Sequence, residues 1–405
     1  MGKKKLGRIN KRKLLYVLLL IPFFPVQSIQ MLGSTNGFWL GLYNALAVLR
    51  LACAALAIIY FFIKRKKPSV LTWGIIAAEL MTLLACYKNG SLTFQFSLTM
   101  CMATVGFAML CQELDDRDTN VFLNANLFFF GLLCLLGAVS IFLFPNGFNH
   151  TSQKQFAIWF LGSKNASYFY YAQFLFLLCY KAKLYGKQIP DKAIGYVLIF
   201  LVSTIICRSS NGSLMLLIIL VGLLALKYKS FFRKLLRPRN VLILVVLLAI
   251  SIPALSSGTF EWLFQLIGRT SDFSMRTYIW DSAIEMIRES PIYGMGKDGD
   301  LIFFGRQTHA HNFYLDFAAK YGVITISIFI LTIIIIMLKM QKSRNRELLF
   351  VGSLFLLTLL VHCLFDSAGT YYLIIVLFFC LKIGTCVNSG VKLNEYRGFN
   401  RVVKE

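Results

Sequence analysis

Four histidines stand in this chain of 405 residues, His150, His309, His311 and His362. Their acid–base equilibria lie nearest to neutral pH of any unperturbed side chain. His309 and His311 flank one alanine and run into Asn312, Asp316 and Lys320, so a short segment gathers two imidazoles, a carboxamide, an acid and a base. Such a segment could take a proton from a hydroxyl or begin a zinc site. A third zinc ligand is not apparent, and no metal site is expected. Asp316 and Lys320 have helical i,i+4 spacing with the acid first, the favourable order for an ion pair, and read as structural. Asp366 is spaced to orient His362; otherwise His150 and His362 read as interfacial residues.

These residues need membrane-spanning elements to hold them. Hydrophobic residues make up 58% of the chain and charged residues 15%, a balance a soluble domain could not cover with polar surface. Apolar runs able to cross a hydrocarbon core of about 30 Å fall near residues 14–32, 38–62, 71–88, 91–111, 121–144, 166–180, 192–207, 212–226, 241–256, 312–338, 347–365 and 369–387. They predict an all-α polytopic membrane protein of about twelve transmembrane helices in a single domain, 1–405. A net charge of +24 would point to nucleic acid in a soluble protein. Here Lys and Arg instead cluster at the amino terminus, at Lys64-Arg65-Lys66-Lys67, in 181–192, 227–239 and 339–346, and in the tail 388–405. Their alternation follows the positive-inside rule: both termini, including that tail, are expected in the cytoplasm, all four histidines outside, and no nucleic-acid partner.

The start resembles a signal peptide but lacks a small-x-small cleavage site, so 14–32 reads as a retained first span. The ten cysteines lie in or beside apolar runs and read as packing residues rather than disulfide partners. Glu113–Asp118 reads as a solvated turn in preference to a partner dock, and Tyr168–Tyr171 as an interfacial aromatic belt in preference to a sugar platform. Arg50 and Glu79 fall inside predicted spans, where charge is costly. A structural pair is favoured for them, with a lipid or glycan contact as the alternative. The largest polar segment, 257–311, is expected outside between the ninth and tenth spans. Within it Ser274–Glu289 reads as a short helix, stopped by Pro291 and followed by a glycine turn. Residues 309–320 are expected to prolong the tenth span as one helix, lifting His311 roughly 15 Å beyond Lys320, towards the outer headgroups.

In motif and topology the chain resembles the O-antigen polymerase and O-antigen ligase superfamily of bacterial envelope glycosyltransferases. One piece is Arg276…Trp280…Pro291-Ile292-Tyr293-Gly294-Met295-Gly296, an Arg-led helix ending in Pro-x-x-Gly-x-Gly. The other is His311-Asn312 followed by Gly322 and Thr325, the family's His-Asn and Gly-x-x-Thr. The family's Ser-Arg-Gly corresponds to Ser210-Asn211-Gly212, with Asn where Arg would align and Arg208 three residues earlier.

The resemblance implies a GT-C-like architecture in the bacterial cytoplasmic membrane. It implies a glycosyltransferase using an undecaprenyl-diphosphate-linked oligosaccharide and a growing polysaccharide on the outer face, with no cofactor. In that reading His311 serves the attacking hydroxyl, Arg276 and Arg208 hold the diphosphate, and Asn312 orients the site. His309, Asn211 and Arg269 contact substrate. Membrane lipids, a flippase and chain-length regulators are the expected partners. Two other functions fit: a ligase transferring finished polymer to a lipid or protein, and a lipid-linked oligosaccharide flippase. A transporter usually has two related halves and a mid-membrane polar site, and the large late loop favours an outer-face enzyme. A Lys-, Ile-, Phe- and Asn-rich composition favours capsule or exopolysaccharide polymerisation.

Overall fold

The computed structural model describes residues 11–33, 36–148, 157–228, 236–256, 273–303, 306–366 and 370–385. These residues form helices joined by turns and one short hairpin. The run 14–32 is not one helix. It forms α1 (Lys11–Leu20) and α2 (Gln27–Gly33), parted by a 3₁₀ turn at Ile21–Phe23. Pro22 and Pro25 account for the break, since proline lacks the amide donor a continuing helix needs. α3 (Gly37–Ile63) and α4 (Val70–Lys88) follow the next two apolar runs closely. Asn36 and Ser69 cap their starts by accepting from Phe38 N–H and Thr72 N–H, satisfying amides the first turn leaves open.

A turn of helix at Phe94–Phe96 passes through a π-helical stretch, Ser97–Met102, into α5 (Ala103–Leu143). The runs 91–111 and 121–144 thus belong to one helical trace, interrupted only at Asp118. That residue is extended, with φ −166° and ψ 91°, and its carboxylate accepts from Val121 N–H at 3.0 Å. Phe24 packs on both Phe107 and Phe130, with ring centroids 5.6 and 5.1 Å away. On a straight helix those two rings would be about 35 Å apart. The arms of α5 therefore fold back side by side, and a single extended residue serves as the loop. The acidic stretch at this reversal is neither a free turn nor an open dock. Lys66 meets Glu113 at 2.5 Å and Asp116 at 3.0 Å, Lys382 meets Asp115 at 2.5 Å, and Arg117 pairs with Glu113.

α6 (Ala166–Leu184), α7 (Asp191–Ile206), α8 (Ser210–Lys227) and α9 (Pro238–Ser256) follow. Then come α10 (Phe273–Glu289), an antiparallel hairpin of β1 (Leu301–Phe303) and β2 (Arg306–Thr308), α11 (Phe313–Met340), α12 (Arg346–His362) and α13 (Thr370–Thr385). α12 is the axis of the core, buried from Leu348 to His362 and packed against α6, α8, α9 and α13. The Tyr168–Tyr171 stretch, expected at an interface, is also core: all four rings are buried, and Tyr372 lies 5.6 Å from Phe169 and 5.0 Å from Tyr170. Hydrophobic and aromatic area explains the placement, since these rings gain more from mutual packing than their hydroxyls lose. The nine cysteines among the described residues are buried and free, in keeping with a packing role.

Among the described residues, five helical segments are long and apolar enough to cross a membrane by length and composition: Gly37–Ile63, Val70–Lys88, Phe94–Leu143, Ser210–Lys227 and Phe313–Met340. Pro238–Leu248 and Thr370–Gly384 are shorter apolar helices. Large apolar side chains such as Val48, Leu56, Ile59 and Phe62 project from the bundle, as expected where the surrounding solvent is lipid.

Candidate functional site

The hairpin pairs Leu301 with Thr308 and delivers the chain to His309. From there each residue is held by a different partner. Ala310, fully buried, accepts from the indole N–H of Trp280 at 2.8 Å and donates its own amide to Asp316 Oδ1 at 3.1 Å. His311 has φ +48°, a left-handed conformation costly for a side chain with a Cβ. Asn312 is buried and caps α11, accepting from Tyr314 N–H at 3.0 Å and Leu315 N–H at 3.2 Å. Phe313 N–H donates to the Cys363 carbonyl at 2.8 Å, and Tyr314 Oη donates to the Leu360 carbonyl at 3.1 Å. Strain at His311 is thus sustained by fixed neighbours on both sides, the circumstance in which strain accompanies function.

α11 does not carry His311 away from the bundle. Gly322, with φ +83° and ψ 161°, interrupts it. Phe313 then packs on Phe329 with ring centroids 5.7 Å apart, where an unbroken helix would separate them by about 24 Å. Residues 313–321 fold back along 323–340, so the expected continuous helix, and the 15 Å lift it would give His311, are both overturned. The break is locked by the Pro-x-x-Gly-x-Gly turn after α10. Met295 N–H donates to the Ala319 carbonyl at 2.9 Å, Gly296 N–H to the Lys320 carbonyl at 2.8 Å, and Val323 N–H to the Pro291 carbonyl at 2.8 Å. A Cβ on Gly322 would lie 1.9 Å from the Ile292 carbonyl oxygen. The Tyr321 carbonyl freed by the break accepts from the Thr325 hydroxyl at 2.6 Å. The two motif pieces are therefore two halves of one main-chain junction.

At the open side of this junction three side chains meet. The rings of His309 and His311 are 4.1 Å apart, and a carboxylate oxygen of Asp366 joins one nitrogen of each within 4.8 Å. Asp366 was expected beside His362, and His309 and His311 lacked a third partner; the turn after α12 supplies it. These donor types at this spacing could share a proton or take a divalent cation. His362 lies deeper, fully buried, stacked on Tyr168 at 4.3 Å and edge-on to Phe169 at 4.7 Å. It is a core residue rather than an interfacial one. Its carbonyl accepts from Asn211 Nδ2 at 3.3 Å, which ties the first turn of α8 to the floor of the site.

Arg208 is exposed in the turn before α8, also left-handed with φ +57°. Arg276 lies on α10 one turn before Trp280; its side chain, Arg269 and His150 lie outside the described residues. Two expected ion pairs do not form. Lys320 reaches Asp300 at 2.9 Å while Asp316 serves Ala310, because the bend redirects α11 towards the loop. Among the described residues Arg50 and Glu79 make no ion pair with each other; Glu79 lies on α4, which packs on the π-helical stretch and on α5. Trp280 and Asp366 are the parts that spacing alone misses. An indole N–H on the apolar face of a short loop helix needs a buried acceptor, and that requirement was the available signal for Trp280.

Residues 196–330 match the family model described as O-antigen ligase. A protein of Haemophilus influenzae, described as uncharacterized, is 24% identical over 217 residues, covering 46% of this chain and 53% of that protein. The match thus spans about half the length of that relative. Arg208, Asn211, Arg276, the paired histidines and the Gly322 junction all fall inside the segment matched by the family model. Over residues 196–330, about a third of its length, the chain is therefore similar to the O-antigen ligase family.

Proposed function

We propose that the protein polymerises undecaprenyl-diphosphate-linked repeat units into a capsular polysaccharide, exopolysaccharide or O-antigen. The reaction takes place on the outer face of the bacterial cytoplasmic membrane, in a chain of about twelve spans with both ends inside. The observation that carries this reading is the meeting of His309, His311 and Asp366 on a rigid main-chain junction. In the reaction an acceptor hydroxyl oxygen bonds to the anomeric carbon of the donor saccharide. The bond from that carbon to the diphosphate breaks, and the diphosphate leaves with the electron pair. His311 takes the hydroxyl proton, and Asp366 stabilises the imidazolium that forms. Arg276 and Arg208 meet the charge growing on the diphosphate by bidentate hydrogen bonds. Asn312, as a helix cap, positions His311 rather than touching substrate. A flippase supplying the donor and a chain-length regulator are the natural partners.

The test uses membranes containing the protein, the lipid-linked repeat unit of its own host and a gel readout of glycan length. A ladder lost in His311→Ala supports the reading. Transfer of preformed polymer to a second acceptor instead means a ligase. Movement of lipid-linked sugar across the bilayer with neither product means a flippase. The histidine–aspartate cluster also has a donor set that would suit zinc. Under acid–base catalysis the ladder persists in excess EDTA; loss in EDTA with recovery on added zinc would assign the metal role instead.

A further inference from the structure

At the end of the bundle where α5 reverses, four lysines meet carboxylates. Lys66 pairs with Glu113 and Lys382 with Asp115, while Lys183 reaches Glu347 at 2.9 Å and Lys227 reaches Asp191 at 2.5 Å. Lys181 is the exception. Half-buried in the last turn of α6, it makes no ion pair among the described residues, and its ammonium donates to the neutral Asn124 Oδ1. That oxygen is held in place. Asn124 Nδ2 donates to both the carbonyl and Oδ1 of Asn120 at 2.8 Å, and Tyr185 Oη donates to the same Oδ1 at 3.0 Å. Asn120, Asn124 and Phe128 recur every four residues and so share one face of α5. Over the Phe128 ring, 4.7 Å from its centroid, stands the ammonium of Lys13 from α1, a second cation one turn along. The charges that reach Lys181 are those of further lysines, Lys13, Lys187 and Lys192. Next to these cations the wall becomes apolar and open: α1 packs on α5, and Leu14, Leu18, Phe128 and Leu132 are exposed along the two helices.

The carboxyl end of α6 favours a cation, which accounts for a lysine there but supplies only partial charge. An ammonium half withdrawn from water beside other lysines is costly until an anion meets it. Two of its three N–H donors remain for that anion. At the edge of a lipid phase the available anion is a phospholipid phosphate, and basic pockets between helices take such headgroups. A zwitterionic headgroup brings its own cation, which the lysines repel. We propose that Lys181, seated by the Asn120–Asn124 ladder, forms with Lys13 a site for the phosphate of an anionic phospholipid. Its acyl chains lie along Leu14 and Leu18 of α1 and Phe128 and Leu132 of α5. The site is independent of the chemistry at the histidines.

The test measures binding of phosphatidylglycerol and of phosphatidylcholine to the full chain in detergent by native mass spectrometry, with thermal unfolding followed in parallel. Wild type should prefer phosphatidylglycerol. Lys181→Met should weaken it about fivefold and leave phosphatidylcholine unchanged, and Lys181→Arg should retain the preference. Asn124→Asp sets a carboxylate against the ammonium, so it should weaken phosphatidylglycerol similarly with the unfolding temperature held. Lys67→Met removes an exposed cation elsewhere at the same end and should change nothing. Absence of a preference in wild type, or wild-type binding in either Lys181→Met or Asn124→Asp, would overturn the site. An equal loss in Lys67→Met would reduce it to overall charge, and a loss tied to a fall in unfolding temperature in both variants would make Lys181 structural. Displacement of the lipid by inorganic phosphate at constant ionic strength would make this a free-anion site and overturn the lipid.

Discussion

His311 combines an imidazole with a left-handed backbone, and these two properties can be separated by substitution. Asn and Gly accept φ near +48° more readily than a β-branched residue does. His311→Asn should therefore unfold close to wild type, and His311→Val should be less stable by about 1–2 kcal/mol, while both lose glycan synthesis. Calorimetry or tryptophan fluorescence in detergent, paired with the gel ladder, checks this; equal stability of the two would mean that the strain is not borne at His311. Asp366 is argued to act through the imidazoles. Asp366→Asn should lower the rate while shifting the pH at which activity falls on acidification downwards, because the imidazolium loses its neighbouring charge. A rate loss with an unmoved pH profile would leave Asp366 a merely structural residue. The histidines announce themselves in sequence by type and pairing. Asp366 announces itself only by its spacing to His362; its meeting with His309 and His311 is hidden, because the turn after α12 that carries it closes on the site from far along the chain.

Elements were legible where hydrophobic runs were long and bounded, and illegible where the backbone reverses inside a run. Asp118 and Gly322 each interrupt a helix without interrupting its composition, and no count of apolar residues registers that. The Gly322 reversal carries its own prediction. Gly322→Ala must place a methyl group where the Ile292 carbonyl sits, in a backbone region unfavourable to alanine. It should cost more than about 2 kcal/mol and abolish the ladder. Trp280→Phe keeps most of the packing and removes the hydrogen bond to Ala310, so stability should fall by about 1 kcal/mol with a larger fractional loss of activity. At the far end, burial pulls the Lys66 ammonium down, but hydrogen bonds to Glu113 and Asp116 carry it above the ordinary lysine range. A lysine raised on folding stabilises at every pH below its unfolded value and loses that contribution as pH climbs through the folded one. The α3–α5 staple should therefore hold at neutral pH and loosen in alkali above about 10.4, and Lys66→Met should remove that alkaline limb from the unfolding curve.

Across the whole molecule, the two ends of the bundle are built differently. One end is sewn by side-chain ion pairs from Lys66, just after α3, and Lys382, in the last turn of α13, to the reversal of α5. The other, where the histidines meet, is joined by main-chain hydrogen bonds between the glycine turn and the bend of α11, with Asn89 Nδ2 donating to the Gly294 carbonyl at 3.1 Å and Lys297 N–H to Ser91 Oγ at 3.2 Å. The loop-charge pattern anticipated clusters of basic residues, but nothing in it foretold that acidic residues would partner them, because acidic residues weigh little in orienting a span.

A junction made largely of main chain depends on three glycines and a few buried partners, Asn89, Ser91 and Trp280, and asks little of the outward face of α10. Tyr278, Asp281, Ser282 and Glu285 face outward from α10, anchored to the bundle through Trp280 and the turn behind it. That surface can drift in evolution, or be exchanged in the laboratory, without loosening the seat of the histidines. Many versions of that one helix face can thus be compared on an unchanged scaffold.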